Sequence, residues 1–402
     1  MGLRYKKLSD FSIGKGCYGI AASAVNKNES LPTYLRITDI NDDGTLNLLS
    51  LKSVDDAKAD KYFLQPNDIV FARTGGSTGR NYFYDGKDGE FVFAGFLIKF
   101  SIDPEKCVPK FIKYYCQSKE YQNWVSSFNT GSTRGNINAK TFGELPIPNL
   151  PIEQQQFVVD TISPIDDKIE NNKKINHHLE QMAMAIFKSW FVDFEPFGGI
   201  QPSDFNTGKA EEFFEIGIGK TPPRKETEWF TTDSTNVKWV SISDMGNCGM
   251  FISDSSEYLT EQAVERFNIK IIPEKTVLLS FKLTIGRIAI TDTEMVSNEA
   301  IAHFKTSNVD ILEYLYCYLK QFEFETLGNT SSIATAVNSK TIKSMPFTKP
   351  SDIVLRNFRE IVSPIFEEIR SNIMEIFKLQ SIRDTILPKL LSGEISVNQA
   401  AK

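Results

Sequence analysis

The sequence predicts an α+β chain. Two similar mixed α/β lobes are joined by two long helices that form an antiparallel intramolecular coiled coil, in a pseudo-twofold repeat. Three observations predict it. First, the stretch from Leu150 to Phe194 returns from Pro350 to Leu391, with Ser163-Pro164-Ile165 and Ser363-Pro364-Ile365 set 200 residues apart. Second, each stretch carries a heptad seam. Steps of four and three pick out Val158, Ile162, Ile165, Ile169, Asn172, Asn176, Leu179, Ala183, Ile186 and Trp190 in the first. In the second they pick out Phe358, Val362, Ile365, Ile369, Asn372, Ile376, Leu379, Arg383, Ile386 and Leu390. Two such seams in one chain bury each other. Third, the segment before each helix repeats one order of strand, turn, helix and polar loop.

In the first lobe, Tyr34 to Ile40, Asp68 to Arg73 and Phe91 to Phe100 read as strands. Thr74 to Arg80 is a glycine-rich turn, and Pro109 to Phe128 reads as an amphipathic helix with proline near its start. Asn129 to Asn136 is a polar loop, and the lobe ends in Leu145-Pro146-Ile147-Pro148. In the second lobe Trp239 to Met245 matches Tyr34 to Ile40. Ile272 to Leu279 matches Gln65 to Ala72, and Gly286-Arg287 matches Gly79-Arg80. Val309 to Thr326 matches the helix, and Asn338-Ser339-Lys340-Thr341 matches Asn138-Ala139-Lys140-Thr141. The resulting boundaries are a first lobe over 1–148, a central helical spacer over 149–196, a second lobe over 197–348 and a C-terminal helical spacer over 349–402.

The helices carry local signals. Ser163 suits an N-cap, Pro164 the first helical position and Asp166 the third. Ser363 and Pro364 repeat this, with Phe366 in place of the acid. The apolar rhythm also runs upstream of each proline, so a clean start and a kinked or two-segment helix both stay open. Pro388 predicts a bend near the second helix's end and Gly393 its stop. Asn172 and Asn372 read as polar residues that set register, and Arg383 as a snorkelling residue or the point where the coil opens. A helix from 164 to 193 spans roughly 45 Å, longer than one turn of B-DNA at about 34–36 Å.

With 402 residues, 41% of them hydrophobic, the chain holds enough for two or more cored domains. No apolar run is long enough to cross a bilayer, and Met1 to Lys7 lacks the apolar core of a signal peptide. The five Cys are scattered, which predicts free thiols in a reducing cytoplasm and neither a disulfide scaffold nor a zinc site. His177 and His178 point about 100° apart on a helix, which argues against a shared metal. The net charge of −6 hides an uneven distribution. Residues 1–150 are net +3, 151–200 net −4, 201–350 net −5 and 351–402 neutral. Contact with nucleic acid therefore has to come from local basic faces.

Catalytic motifs fail on inspection. Gly219-Lys220-Thr221 resembles the end of a P-loop, but Phe214 stands where its first Gly belongs and Pro222-Pro223 block the helix that must follow. Gly217-Ile218-Gly219 fails as a dinucleotide or methyl-donor loop for the same reason. Thr221-Pro222-Pro223-Arg224 lacks the amide or acid and the aromatic of an adenine methyltransferase tetrapeptide. Pro66-Asn67-Asp68 with Glu90-Phe91-Val92 lacks a nuclease's lysine. The chain shows no catalytic or metal site.

The polar turns suit DNA better. Backbone amides of Gly75, Gly76 and Gly79 can approach phosphate. Arg73, Arg80 and Arg134 have the reach for phosphates or guanine edges, and Asn136 and Asn138 for adenine edges. The second lobe offers Lys282, Thr284, Arg287, Asn338 and Lys340. For each, a solvated loop residue is the plain alternative.

Several stretches resemble one family. They are Leu145-Pro146-Ile147-Pro148 with Pro151-Ile152-Glu153-Gln154, Asp166 to Lys173, Phe187-Lys188-Ser189-Trp190-Phe191-Val192-Asp193-Phe194, and Ile382 to Ile395. Ile218 to Arg224 looks like the opening of a second target-recognition domain. Together with the repeat, these resemble the specificity (S) subunit of type I restriction–modification enzymes over the whole chain. One departure is Pro350-Ser351-Asp352-Ile353, where the first copy has Pro-x-Glu-Gln. The resemblance implies two target-recognition domains, each reading half of a split site in double-stranded DNA, with the helices as ruler. It also implies two modification (methyltransferase) subunits docked beside the helices and restriction subunits beyond them. S-adenosylmethionine, ATP and Mg belong on those partners, with no cofactor in this chain and no membrane. Three other readings remain: the recognition subunit of a methylation-only or type IIB-like system, a coiled-coil scaffold without a DNA role, and a self-sufficient methyltransferase.

Overall fold

The computed structural model describes residues 4–128, 135–327 and 337–397. It divides into two compact units, 1–168 with 378–402, and 169–377. The helices are thus shared out between the units: the boundary crosses both of them.

In the first unit, one sheet orders the strands Cys17–Tyr18, Leu97–Ser101, Asp68–Ala72 and Asn81–Tyr84, all antiparallel. A second sheet orders Ala24–Val25, Lys52–Val54, Thr33–Leu35 and Phe91–Phe93, the last pair parallel. Asp68–Ala72 is buried on both faces, and period-two alternation divides it between two cores. Ile69 and Phe71 pack with Phe111, Tyr114, Val158, Ile162, Leu387 and Leu390. Val70 and Ala72 pack with Leu35, Tyr82, Tyr84, Phe91 and Phe93. Burying each large aliphatic or aromatic side chain contributes about 1.5–3 kcal/mol, so the lobe and its helices hold together through one shared apolar core.

The second unit has the same strand order. One sheet runs Glu215–Ile218, Ile301–Lys305, Val277–Ser280, Ile288–Thr291, with Phe251–Ile252 added in parallel at the edge. The other runs Phe230–Thr231, Glu257–Leu259, Val237–Val240, Val296–Ser297, again ending in a parallel pair. The register corrects the sequence match by one residue. Ile69 pairs with Phe83 and Phe71 with Asn81, whereas Val277 pairs with Ile290 and Leu279 with Ile288. Ile69 therefore corresponds to Val277, an offset of 208, while Gly79-Arg80 and Gly286-Arg287 keep 207. A one-residue slip exchanges the two faces of a strand, so the cores decide the matter. Val277 and Leu279 face the helices, and Leu278 faces the second sheet.

Four predicted elements are shorter than read. The strand at 34–40 stops at Leu35, because Asp39 folds back to accept from Arg36 N at 2.8 Å and pairs with its guanidinium at 2.6 Å. Its counterpart stops at Val240, where Ser241 and Asp244 form a capping box for a helix at Ile242–Asn247. The helix at 109–128 is two helices, Pro109–Tyr115 and Lys119–Ser126, with Ser118 capping the second. The second lobe's helix is Leu312–Gln321.

The long helices, Ile152–Phe191 and Asp352–Leu391, are 40 residues each and run unbroken past Pro164, Pro364 and Pro388. Ser163 is therefore no cap. Its Oγ pairs with the Tyr114 hydroxyl at 2.8 Å, so the first lobe's helix grips the serine before the proline. Gly393, at φ 74, ends the second helix as predicted. Each seam residue faces inward. Ile162, Ile169, Asn172, Val362, Ile369 and Asn372 are buried, and Ile165, Leu179, Ile186, Ile365, Leu379 and Ile386 are half-buried. Pairing is antiparallel within each unit. Asn172 bonds Glu375 at 2.7 Å and Asn372 bonds Asn176 at 2.9 Å in the second, and Arg383 pairs with Asp166 at 3.3 Å in the first. Arg383 is thus an ion-pair partner. A second stripe, absent from the heptad reading, fixes the helices to the second lobe through Phe187, Leu355, Phe366 and Ile373.

Candidate nucleic-acid interface

In the first lobe the glycine turn links Ala72 to Asn81. Gly75 at φ 78 and Gly79 at φ 88 occupy the left-handed region that favours glycine. A Cβ on Gly79 would also collide with Val125, whereas nothing lies near Gly75 or Gly76, so that backbone is open to an approaching ligand. The fold brings this turn beside 135–138. Ile137 N bonds Arg73 O at 2.9 Å, and Thr78 Oγ1 bonds Gly135 O at 3.0 Å. Arg73 lies over the Tyr18 ring at 5.0 Å and reaches Asn136 Oδ1 at 3.4 Å, while its buried Nε has no acceptor. Arg73, Gly75, Gly76 and Asn136 thus form one patch with an unsatisfied cationic donor. Arg134 lies outside the described residues.

Arg80 and Asn138 are otherwise engaged. Arg80 holds Asp42 at 2.6 and 3.1 Å and the Ile40 carbonyl at 3.1 Å. Asn138 Oδ1 caps the short helix Ala139–Gly143 by accepting from Thr141 N at 2.9 Å. A bidentate adenine contact needs that same oxygen. Both residues therefore also support the lobe.

The second lobe repeats these intramolecular bonds. Arg287 donates to the Ile242 carbonyl at 2.6 Å, as Arg80 does to Ile40. Asn338 caps Ser339–Lys343 by accepting from Lys340 N at 2.9 Å and Thr341 N at 3.0 Å. Lys282, Thr284 and Lys340 are exposed. The residue between the first two, Leu283, was not singled out by its sequence, and it is wholly exposed. Tyr18 was likewise missed, because nothing local in the sequence places it under Arg73.

The rejected motifs are structural turns. Lys220 Nζ bonds the Phe267 carbonyl at 2.6 Å and Thr221 bonds Glu299. Arg224 is stacked between Phe230 and Trp239 at 4.2 and 4.4 Å, with both arms on Glu257 at 3.0 and 2.9 Å. Ser297 and His303 approach to 2.7 Å, but both are buried, and burial pushes the imidazole down to about 3. Among the described residues no group of three or more His, Cys, Asp or Glu is placed to hold a metal, and no helix is long and apolar enough to cross a membrane.

Known proteins match this arrangement. The chain is 26% identical over 317 residues to the type I restriction enzyme MjaIX specificity subunit of Methanocaldococcus jannaschii, covering 74% of this chain and 72% of the relative. It is 27% identical to the type I restriction enzyme HindI specificity subunit of Haemophilus influenzae, covering 83% and 88%. A crystal structure of the type I restriction–modification S subunit from M. genitalium aligns over 97% of this chain and 96% of its own with a TM-score of 0.53 at 17% identity, which shows a shared fold. The family model for the type I restriction modification DNA specificity domain matches residues 4–181 and 202–353. With both lobes and most of the first long helix inside those matches, the chain belongs to the type I restriction–modification DNA specificity family.

Proposed function

We propose that each lobe reads one half of a bipartite target in double-stranded DNA, with target-recognition domains at 1–148 and 197–348. The two helices set the gap between the halves and dock two modification (methyltransferase) subunits, to which restriction subunits add. The chain itself performs no chemistry. S-adenosylmethionine, ATP and Mg sit on the partner subunits, and the assembly works in the cytoplasm.

One observation carries this reading: two lobes of the same strand order, each packed on its own portion of one antiparallel helix pair. A duplicated reader serves two half-sites. The Arg73 patch in the first lobe and the exposed Lys282–Thr284 tip in the second supply local cations and open backbone on a chain of net negative charge. Mapping adenine methylation across a genome carrying this system tests it. A motif split into two specified halves by an unspecified gap is expected. A continuous motif would overturn the two-reader reading.

A further inference from the structure

We infer that Leu283 is a specificity-determining residue of the second lobe, an apolar tip that contacts a thymine methyl. The inference rests on the proposed DNA-reading role of that lobe.

Leu283 sits in the loop joining Val277–Ser280 to Ile288–Thr291. Its side chain is 101% exposed, and its φ is 61. A bulky residue in the left-handed region is strained by about 1–2 kcal/mol, which glycine would avoid. An exposed leucine recovers none of that through burial. Folding therefore gives no reason for this residue in this conformation.

The loop is nevertheless held in place. Ser280, fully buried, donates through Oγ to Thr284 O at 2.7 Å and accepts from Arg287 N at 3.0 Å. Gly286 N bonds Ser280 O at 3.0 Å, and Thr284 N bonds Lys282 O at 2.7 Å. Three of these bonds tie both limbs of the loop to one serine, the fourth closes the turn around Leu283, and Leu283 is left at the tip. Beside it are the exposed Lys282 and the 37% exposed Ile285. A cation flanking an apolar tip suits a duplex, which presents phosphates at the rim and base edges within the groove. In the major groove the apolar feature of those edges is the thymine C5-methyl.

The first lobe lacks this device. Its loop has eight residues between Ala72 and Asn81 against seven between Ser280 and Ile288, and Gly75-Gly76-Ser77 occupies the tip. The two lobes thus offer different chemistry at the same place in the fold.

The test uses the chain assembled with its modification subunits and duplexes carrying the mapped motif. Each thymine is replaced in turn by deoxyuridine, which removes only the methyl. For one thymine of one half-site, wild-type binding is expected to fall roughly fourfold, the value of one buried methyl group. Leu283→Ala should bind the thymine and uracil duplexes equally. No response at any thymine in the wild type, or an undiminished response in Leu283→Ala, overturns the inference. So does a Leu283→Ala variant that loses its modification subunits while keeping its base preference, since Leu283 would then be a protein contact. Leu283→Gly should melt no lower than wild type, because it relieves the strained φ, and so separates lost reading from lost folding. Wild-type complex without preference for either half-site would remove the DNA-reading role itself, and this inference with it. Preference without a methyl response removes Leu283 alone.

Discussion

Asn172, with no solvent exposure, donates through Nδ2 to Glu375 Oε2 at 2.7 Å, while its own Oδ1 has no partner. Four residues on, Asn176 accepts from Asn372 at 2.9 Å. The helix pair of the second unit thus carries a polar layer between apolar ones. Such a layer costs stability and fixes register, because a slipped pairing would bury these groups without partners. Asn172→Leu removes an orphaned acceptor and adds apolar burial. It should raise stability by about 1–2 kcal/mol and the melting temperature by a few degrees. Thermal unfolding checks this, and a lower melting temperature would contradict it.

Arg73 and Arg80 are separated by a single glycine turn and should behave oppositely. Arg80 is bound to Asp42 and the Ile40 carbonyl, whereas Arg73 keeps a guanidinium donor without an acceptor. Arg73→Ala should leave stability within about 0.5 kcal/mol of wild type and lower the salt dependence of DNA binding by about one phosphate contact. Arg80→Ala should cost about 1 kcal/mol of stability and leave that slope unchanged. Binding titrations across salt concentrations, with melting curves, separate the two. An exchange of these outcomes would show that the contact lies at Arg80.

His303 predicts how the second unit responds to acid. Burial, helped by Lys305, holds its folded pKa at about 3, against about 6.5 for an unfolded histidine. The unfolded chain therefore binds a proton below pH 6.5 that the folded chain refuses. Stability from neutral His303 is full above that value and is lost as pH falls toward 3. His303→Gln cannot titrate, so its melting temperature should decline less steeply between pH 6.5 and pH 4. Parallel declines would place the acid sensitivity elsewhere.

The helices were legible because a heptad pattern is physical: the seam residues that recur at steps of four and three are those that face inward. What the pattern omits is the other stripe, since Phe187 and Phe366 bury against a lobe whose surface no heptad describes. The sequence leaves the helix start open because Ser163-Pro164 imitates a cap while the apolar rhythm runs on upstream of it. Ser163 is instead held sideways by Tyr114, a contact across 49 residues. Strand matching slipped by one because Pro66 and Pro273 align well, while the loop that follows is one residue shorter in the second lobe. Among site residues, Asn138 and Asn338 could have been recognised as caps, each with Thr three residues on. The commitments of Arg80 and Arg287 to distant carbonyls, and the stacking of Arg73 on Tyr18, arise only from the tertiary fold.

The central claim is that the helix pair measures the distance between two half-sites. One heptad inserted after Lys168 and a second after Phe377 lengthens both helices at the boundary between the units and preserves the seam. Seven helical residues add about 10.5 Å, the rise of about three base pairs. Methylation mapping of a strain carrying this variant should find both half-motifs unchanged and the gap between them about three base pairs longer. An active enzyme that methylates at the original spacing would contradict the account.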